Sequence, residues 1–544
     1  MKAPEEYKGK QRKPWVIPVV IVVVIVVIGL GVYFGFVYHP PKKVKTIYFY
    51  TWWATEGKIA VDKEYAAFHH AYPQYAVKSE LKPGAGGTEA IYAILADIKA
   101  GHPPDAFQAH FGPQLISYIE DAPNGAKDFV NMTPIAQKMG LFSNAVTQVL
   151  MAGTYNGTMF SLPVDVHRGA MLYFNPQVLI KYGLPLPNNL TTLIHDSEVL
   201  HSKGVSAWAV PGDDGGWDEF NLWEDIFLSV TGNGTLYDEA MYGVLNLSNP
   251  TILNYVNEAS KIFQQFTSYG YSGESSQTWT QAIPKVIDGQ AVFQANGNWY
   301  CNYAYDFDNT TTYPNAAPYN NTSYIMSHDI KLMSMPFPGT SRYYVLVDDS
   351  VVVPAGPSQN EGLTFAEYFS SYSGQLVFTK WKAVTFYKNI TNDYYNTPGQ
   401  WYNYESLLNH SSNAHSFLYQ LSDGGFFAGP YADLDSAFLA TIYAHPNVND
   451  SSARAAFVSD LKSTLAKEKS DWLKANSLGY GFMGTLSDPF GGYLPPWVNN
   501  TSASVITSNA VSDNSNVNST STFNGNIYST LMEFLDNVIA EVKW

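Results

Sequence analysis

Short apolar runs alternate with helix-like apolar spacing from residue 46 onward. The first run, Ile47-Tyr48-Phe49-Tyr50-Thr51, is β-branched and aromatic, which predicts a strand that ends at Trp52 and Trp53. Apolar residues at four-three-four spacing then predict a helix over 61–72, followed by a strand near 75–79 and a second helix. This order is the start of an open α/β sheet, whose ligands bind at the carboxyl ends of the strands.

The alternation continues along most of the chain. Further strands are predicted at 106–110, 171–175, 289–299 and 348–354, and further helices at 113–120, 191–203, 222–230, 251–266, 280–288, 361–380 and 453–473. Residues 476–522, Ser-, Thr- and Asn-rich in their later part, are predicted to be a polar loop insertion. Residues 523–544 carry one apolar stripe and are predicted to form an amphipathic helix that docks on the body.

An uncharged apolar stretch precedes the first strand. Residues 16–37 contain no Asp, Glu, Lys or Arg, and as a helix they are long enough to cross a hydrocarbon layer about 30 Å thick. No small-residue cleavage pattern follows, which favours an uncleaved anchor, and a pilin-like signal trimmed before the stretch would leave the same anchor. We therefore predict a cytoplasmic N-terminus at 1–14, a transmembrane helix at 15–38 and a tether at 39–45.

The composition excludes some classes of function. Charged residues make up 14% of the chain and the formal net charge is −16, so the clustered Lys and Arg that bind nucleic acid are missing. The single cysteine, Cys301, excludes an intramolecular disulfide and is predicted to be a small buried apolar residue. Solubility depends instead on neutral polar side chains.

Asn-x-Ser/Thr triplets are frequent after the apolar stretch and absent before it. This distribution indicates a glycosylated exterior, so the body is predicted to be extracellular and held at the cell membrane by a single pass. The candidate acceptors are Asn131, Asn156, Asn189, Asn233, Asn246, Asn309, Asn320, Asn321, Asn389, Asn409, Asn449, Asn499, Asn500 and Asn518.

Common enzyme motifs do not occur. The chain has no His-Glu-x-x-His, Gly-x-Ser-x-Gly or Walker lysine motif, and we predict no catalytic residue, no cofactor and no metal. Gln108, His110 and His167 could be imagined as metal ligands, but glutamine is a poor ligand and no third histidine or carboxylate is identified. Six acidic residues between 213 and 225 could hold two glycosidase carboxylates, although helix capping and solvated helix faces explain them more simply.

Aromatic and planar polar residues recur where predicted strands end. A pyranose presents a C–H face that stacks on tryptophan and a rim of hydroxyls that bind carboxylates, amides and imidazoles, so this combination points to sugar binding. The candidate substrate-binding residues are Trp52, Trp53, Glu56, Gln108, His110, His167, Trp279, Asn298 and Trp299. Each tryptophan could instead belong to the core, and each histidine could be structural.

Several segments occur in an order that resembles a known family. They are Tyr50-Thr51-Trp52-Trp53, Tyr72-Pro73, Gly84-Ala85-Gly86-Gly87-Thr88, Ala100-Gly101-His102-Pro103-Pro104-Asp105-Ala106-Phe107-Gln108-Ala109-His110, Leu162-Pro163-Val164-Asp165-Val166-His167 and Gly289-Gln290-Ala291-Val292-Phe293. Over about residues 45–475 the chain is similar to the extracellular sugar-binding proteins of ABC importers, family 1, and most of all to the glucose- and galactose-binding branch.

The resemblance implies a two-lobed periplasmic-binding-protein-like fold of type II, which closes on its ligand about a hinge. Lobe 1 would comprise residues 46–163 and about 345–390, and lobe 2 residues 164–344 and about 391–475. By position, Trp52, Trp53 and Glu56 with Gln108 and His110 would bind sugar from lobe 1, His167 would follow the first crossing, and Trp279, Asn298 and Trp299 would bind from lobe 2.

Two departures from the family pattern limit what is carried over. Asn298 stands where the family often has aspartate, and residues 381–385 replace the usual Gly-Ser-x-Pro-x-Arg, so no later residue is assigned to the site. We predict a membrane-anchored extracellular receptor that passes a monosaccharide or short oligosaccharide to an ABC permease. The alternatives are an anchored glycoside hydrolase and a structural glycoprotein of a surface layer or filament.

Overall fold

A computed structural model describes residues 15–32, 44–54, 57–81, 88–155, 158–391, 393–413 and 416–478. The chain divides into two units, Met1–Pro495 and Pro496–Trp544, and every described residue belongs to the first. Glu56, the predicted C-terminal helix and nearly all of the predicted 476–522 insertion therefore lie outside the described residues, as do the candidate acceptors Asn156, Asn499, Asn500 and Asn518.

The strands in the described ranges are short. They are β1 (Lys45–Thr51), β2 (Tyr75–Leu81), β3 (Ala106–His110), β4 (Thr154–Tyr155), β5 (Thr158–Met159), β6 (Ser161–Pro163), β7 (His167–Arg168), β8 (Met171–Phe174), β9 (Phe293–Asn296), β10 (Tyr313–Pro314), β11 (Met333–Pro336), β12 (Tyr344–Val347), β13 (Asp349–Val352) and β14 (Phe417–Tyr419).

Helices fill most of the remaining described sequence. They are α1 (Val16–Val32), α2 (Lys58–Ala71), α3 (Thr88–Lys99), α4 (Pro113–Asp121), α5 (Thr133–Lys138), α6 (Leu141–Asn144), α7 (Thr147–Ala152), α8 (Pro176–Lys181), α9 (Leu190–Ser202), α10 (Trp217–Thr231), α11 (Gly234–Met241), α12 (Pro250–Ser268), α13 (Trp279–Ile287), α14 (Trp299–Asp308), α15 (Thr322–Ser327), α16 (Gln359–Phe369), α17 (Tyr372–Phe378), α18 (Pro398–His410), α19 (Ala428–Phe438) and α20 (Ser451–Ser477).

Two main sheets divide the body into lobes. The first sheet has the order β2-β1-β3-β13-β6, with β1, β2 and β3 parallel and β13 antiparallel to its neighbours. The second has the order β10-β11-β8-β9. We define lobe 1 as the first sheet with α2–α7, α16 and α17, and lobe 2 as the second sheet with α8–α15 and α18–α20.

A small third sheet lies where the chain crosses between the lobes. Its order is β14-β12-β7, and β12 pairs antiparallel with β7 through Leu346 and Arg168. The first crossing runs from β6 through β7 into β8, and the second returns from β11 through β12 into β13. Only Asp348 separates β12 from β13, so at the second crossing the chain passes directly from the third sheet into the first.

Most predicted elements are confirmed, with one informative exception. Strand 106–110 and the helix after it occur as predicted, whereas the predicted strand 289–299 is paired only over Phe293–Asn296. Gly297 follows that strand, and Trp299 begins α14. Asn298 and Trp299 are therefore placed by a strand-to-helix turn and not by the tip of a strand.

The predicted membrane anchor overlaps α1. This helix covers 17 residues, Val16–Val32. Across the ranges that the structure describes, no helix has both the length and the hydropathy needed to cross a membrane.

Trp53 lies in the core of lobe 1. In β1, Ile47, Phe49 and Thr51 face inward, and Trp53 continues the same side of the strand with about 1% of its surface exposed. Its ring lies 5.0 Å from that of Phe378 and 6.2 Å from that of Phe369. An aromatic cluster therefore packs β1 of the first sheet against helices α16 and α17.

We expect Trp53→Ala to lower the free energy of unfolding by about 3–5 kcal/mol, because it opens a large cavity in this cluster. The matched control is Trp52→Ala, since Trp52 is only partly buried at the end of the same strand. Denaturant unfolding without ligand measures both. Equal losses for the two variants would contradict the core position of Trp53.

Candidate functional site

Gln108 ties three strands of lobe 1 together at their ends. Its Oε1 accepts hydrogen bonds from the hydroxyl of Thr51 and from the backbone N–H of Trp52, the latter at 3.3 Å. Its Nε2 donates to Oδ1 of Asp349 at 2.6 Å. Gln108 thus fixes the end of β1 and the first residue of β13 relative to β3.

A buried charge cluster lies beside this junction. Lys382 Nζ is 3.2 Å from Asp349 Oδ2 and 3.4 Å from Asp165 Oδ2, and it donates to His167 Nε2 at 2.8 Å. All four side chains are buried. Burial would raise the pKa of Asp349, but the Lys382 ammonium holds it well below its ordinary value.

The protonation of His167 follows from its contacts. Burial lowers its pKa and Asp165 raises it, with a net rise to about 9. The 2.8 Å contact with the Lys382 ammonium nevertheless requires a lone pair on Nε2, because two protonated nitrogens at this distance would repel each other. The contact is the stronger constraint, so the ring proton is on Nδ1 and is donated to Asn298 Oδ1 at 2.9 Å.

Three members of this cluster have the spacing of a metal site. Asp165, His167 and Asp349 offer ligand atoms that all lie within 4.8 Å of one another. Lys382 Nζ contacts an atom of each of them, so an ammonium group already supplies the positive charge that a divalent ion would bring. The residues therefore fit a lysine-centred ion cluster better than a metal centre.

Each site histidine has a tryptophan against it. The ring of Trp52 lies 4.9 Å from that of His110, and the ring of Trp299 lies 4.9 Å from that of His167 in an edge-to-face arrangement. Trp217, the first residue of α10, has its ring 6.0 Å from that of Trp299. Aromatic surfaces from lobe 1 and from lobe 2 therefore border the same polar junction.

Two buried donors at this junction have no acceptor among the described residues. Nε1 of Trp299 and Nε2 of Gln114 are both unbonded there, although each side chain is buried. Oε1 of Gln114 accepts from His110 Nδ1 at 2.8 Å. A buried N–H without an acceptor is costly, and a polar ligand in contact with these groups would remove that cost.

The turn Leu421–Gly425 brings a further carboxylate to His110. Asp423 Oδ1 lies 3.3 Å from His110 Nδ1, and burial raises the pKa of Asp423 to about 6 although His110 opposes the rise. Gly424 follows it with φ +97, and a Cβ there would lie 3.1 Å from the Cβ of His110. Only glycine allows the turn to approach this closely without strain.

Glu224 holds this turn from α10. It accepts backbone N–H groups from Leu421 at 2.8 Å and Ser422 at 3.3 Å, the Ser422 hydroxyl, and the Tyr237 hydroxyl at 2.6 Å. Burial raises its pKa to about 7, and these hydrogen bonds oppose the rise. Glu224 positions the turn that carries Asp423, and its hydrogen bonds to described residues go to Leu421, Ser422 and Tyr237.

The acidic residues between 213 and 225 are mostly buried, so the interpretation of solvated helix faces is wrong for Asp218, Glu219, Glu224 and Asp225. Several have structural partners instead. Asp214 accepts the backbone N–H of Trp279, and Asp218 accepts from Asn296 at 2.5 Å.

The structure brings together six of the nine predicted site residues, namely Trp52, Gln108, His110, His167, Asn298 and Trp299. Trp53 is in the core behind them, with Lys382 Nζ 5.4 Å from its ring centroid. Trp279 begins α13 and packs on Tyr303 at 4.9 Å. Glu56 is outside the described residues.

Sequence reasoning did not assign the residues that complete the cluster, which are Gln114, Asp165, Trp217, Asp349, Lys382 and Asp423. The sequence contains an indication of two of them. Asp349 comes just before the apolar run Val351-Val352-Val353, and Lys382 follows Trp381 and precedes Ala383-Val384 in a chain with few charges. A charge inside an apolar run is expected to be paired.

Comparison with known proteins identifies relatives that are solute-binding proteins. Residues 54–331 match the family described as bacterial extracellular solute-binding protein. The chain is 48% identical over 464 residues to the glucose-binding protein GlcS of Saccharolobus solfataricus, which covers 85% of this chain and 81% of that protein. It is 22% identical over 337 residues to the xylose/arabinose-binding protein XacG of Haloferax volcanii, covering 60% of this chain and 66% of the relative.

Solved structures share the fold. The bacterial solute receptor AcbH, described as exclusive for β-D-galactopyranose, superposes with a TM-score of 0.59 at 14% identity, covering 78% of this chain and 99% of AcbH. A protein studied for xylan utilisation by Caldanaerobius polysaccharolyticus superposes with a TM-score of 0.58 at 17% identity, covering 77% and 100%. These likenesses confirm the predicted two-lobed α/β fold.

We expect Lys382→Met to lower the free energy of unfolding by about 3–5 kcal/mol, because it leaves two buried carboxylates without their cation. The matched control is Lys99→Met, which removes an exposed lysine 3.3 Å from Asp121 and should cost at most about 1 kcal/mol. Denaturant unfolding at pH 7 measures both. A loss below about 1 kcal/mol for Lys382→Met would contradict the central role of the ammonium.

Glu224 should make stability depend on pH. Its folded pKa of about 7 exceeds the ordinary 4.5, so between these values the folded state holds a proton that the unfolded chain has released. Stability from this group therefore falls as pH rises through that window, by about 3 kcal/mol in all. Glu224→Gln should abolish this part of the pH dependence, as measured by subtracting the unfolding free energies of variant and wild type across pH 4–8. A difference that stays constant with pH would contradict the shift.

Proposed function

Because the chain belongs to the bacterial extracellular solute-binding protein family, we propose that it is a receptor, not an enzyme, that captures a sugar and delivers it to the permease of an ABC transporter. The ligand is a glucose- or galactose-like monosaccharide or a short oligosaccharide. The 48% identity to a glucose-binding protein supports glucose as the first ligand to test.

One observation carries this proposal. Tryptophan–histidine pairs from the two lobes, Trp52 with His110 and Trp299 with His167, border a buried junction that holds unbonded donors. A pyranose satisfies both features, because its C–H face stacks on an indole ring and its hydroxyls accept and donate hydrogen bonds. The neutral ligand also suits a site whose buried carboxylates Asp165 and Asp349 already have a cation, Lys382, within the protein.

The residues take different parts in this proposal. Trp52 and Trp299 stack on the sugar, and His110, Asn298 and Gln114 bind its hydroxyls. Gln108 and His167 contact the sugar as they orient these neighbours. Trp53 and Trp279 support the site from behind, and Glu56 keeps the sugar contact that the resemblance implies.

Closure of the lobes would complete the site. Lobe 1 comprises residues 46–163 and about 345–390, and lobe 2 residues 164–344 and about 391–475, with the third sheet as the hinge. Contacts away from the sugar support a closed arrangement: Lys474 of α20 lies 2.8 Å from Glu120 of α4, and Ser117 accepts the backbone N–H of Ala428 at 3.2 Å.

The receptor acts outside the cell. Residues 16–37 anchor it to the membrane by a single pass, the 476–522 insertion and the C-terminal helix follow the body, and the exterior carries N-linked glycans. All ten candidate acceptor asparagines that the structure describes are exposed, which supports the last point. Tethering keeps the loaded receptor close to its permease.

Titration of the detergent-solubilised chain with glucose, galactose and maltose, followed by tryptophan emission, tests the proposal. We expect a saturable change with at least one sugar. Trp52→Ala should weaken that binding about tenfold, as loss of a stacking ring does. Trp401→Ala is the matched control, because this partly exposed tryptophan of α18 lies among Tyr395 and Tyr404. No saturable response to any saccharide would refute sugar binding, and unchanged affinity for Trp52→Ala would remove Trp52 from the site.

A further inference from the structure

A cavity lies in lobe 1 at the start of α17. It measures about 290 Å³ and is lined by Met139, Asn144, Ser371, Tyr372, Tyr387 and Asn389. None of these residues belongs to the site described above. The cavity combines tyrosine rings with amide and hydroxyl groups, the same two kinds of surface that bind a sugar.

Asn389 differs from the other lining residues because it opens an Asn-Ile-Thr acceptor triplet. Its side chain is exposed, and no hydrogen bond between described residues involves its amide. Its backbone carbonyl accepts from the Tyr372 hydroxyl at 3.1 Å. The acceptor amide is therefore accessible while its backbone is held at the edge of the cavity.

Tyr372 supplies the stacking surface. Its side chain is 44% exposed, which is high for a large aromatic residue. Its ring stands edge-to-face to that of Tyr387, with centroids 5.3 Å apart, and the Tyr387 hydroxyl donates to Ser370 O at 3.0 Å. One face of Tyr372 is thus fixed in orientation and open beside Asn389.

We propose that Asn389 carries an N-linked glycan whose first sugar packs into this cavity against Tyr372. In the modification, Nδ2 of Asn389 attacks the anomeric carbon of a lipid-phosphate-linked saccharide. The bond from that carbon to the phosphate oxygen breaks, the lipid phosphate leaves with the electron pair, and the amide gives one proton to a base of the transferase. The inference rests on the extracellular, glycosylated placement proposed above.

The packed sugar stabilises the segment that leads back to lobe 2. Lys388 N–H donates to Asn144 O at 2.9 Å, and Ile390 N–H to the Tyr404 hydroxyl at 3.4 Å, so residues around Asn389 join lobe 1 to α18. A sugar that contacts Asn144, Tyr372 and Tyr387 at once adds a further connection here. The Asn389 glycan therefore increases the stability of the body, unlike a glycan that only projects into solvent.

The test compares two acceptor variants in the full chain, made once in a glycosylating host and once in a host without N-glycosylation. Asn389→Gln removes the proposed packed glycan. Asn409→Gln is the matched control, because Asn409 is an exposed acceptor on α18 and is not among the cavity-lining residues. Glycopeptide mass spectrometry reports occupancy, and thermal unfolding reports Tm.

We expect Asn389 to be occupied, and Asn389→Gln to lower Tm by at least about 2 °C more than Asn409→Gln in the glycosylated protein. In the unglycosylated protein the two variants should not differ. Tyr372→Ala should lower Tm more in the glycosylated than in the unglycosylated chain, since only the former loses a stacked sugar.

Three results would overturn the inference in distinguishable ways. If other triplets carry glycans and Asn389 does not, the proposed glycan at Asn389 is refuted, while the extracellular location of the body still stands. Occupancy with equal Tm for both variants would show a glycan that does not pack. Absence of glycan from every triplet in the native host would remove the glycosylated exterior as well.

Discussion

The ammonium group of Lys382 lies between two buried carboxylates, and the arrangement of the site depends on that attraction. Taking one cation and two anions out of water is costly, and the cost is recovered only when their geometry is held. Asp349 belongs to the first sheet, Asp165 to the first crossing, and Lys382 to the segment after α17. The charges therefore fix three separate parts of the chain at one point.

The aromatic side chains of the site are positioned by contacts with this charge cluster. His167 is held by Lys382 and Asn298, and its ring and that of Trp299 meet edge-to-face. On the other side, Gln108 links Asp349 to the end of β1, where Trp52 meets His110. The buried charges of Lys382 and Asp349 thus position uncharged aromatic and amide side chains for the ligand. A chain with few charged residues can build a specific polar site in this way.

Local patterns predicted much of the fold and half of the junction, and particular residues show why the rest was missed. Strand 106–110 was recognisable because its apolar run is closed by polar groups, and it carries Gln108 and His110. The period of two along β1 already separates Trp53, on the side of Phe49, from Trp52. Lys382 and Asp423 could not be placed, because each reaches the site through contacts between parts of the chain that are distant in sequence. Lys382 donates to His167 at a separation of 215 residues, and the turn that carries Asp423 is held by Glu224, which lies 197 residues from Leu421.

The position of β13 has a consequence for how the chain acquires its structure as it leaves the ribosome and crosses the membrane. Lobe 1 begins first, yet its sheet lacks the strand between β3 and β6 until residues 349–352 have emerged. All strands of the second sheet lie between residues 171 and 336 and are delivered earlier. During export the later lobe can therefore complete its sheet first, while the early strands wait unpaired at one edge and are exposed to chaperones or to neighbouring chains.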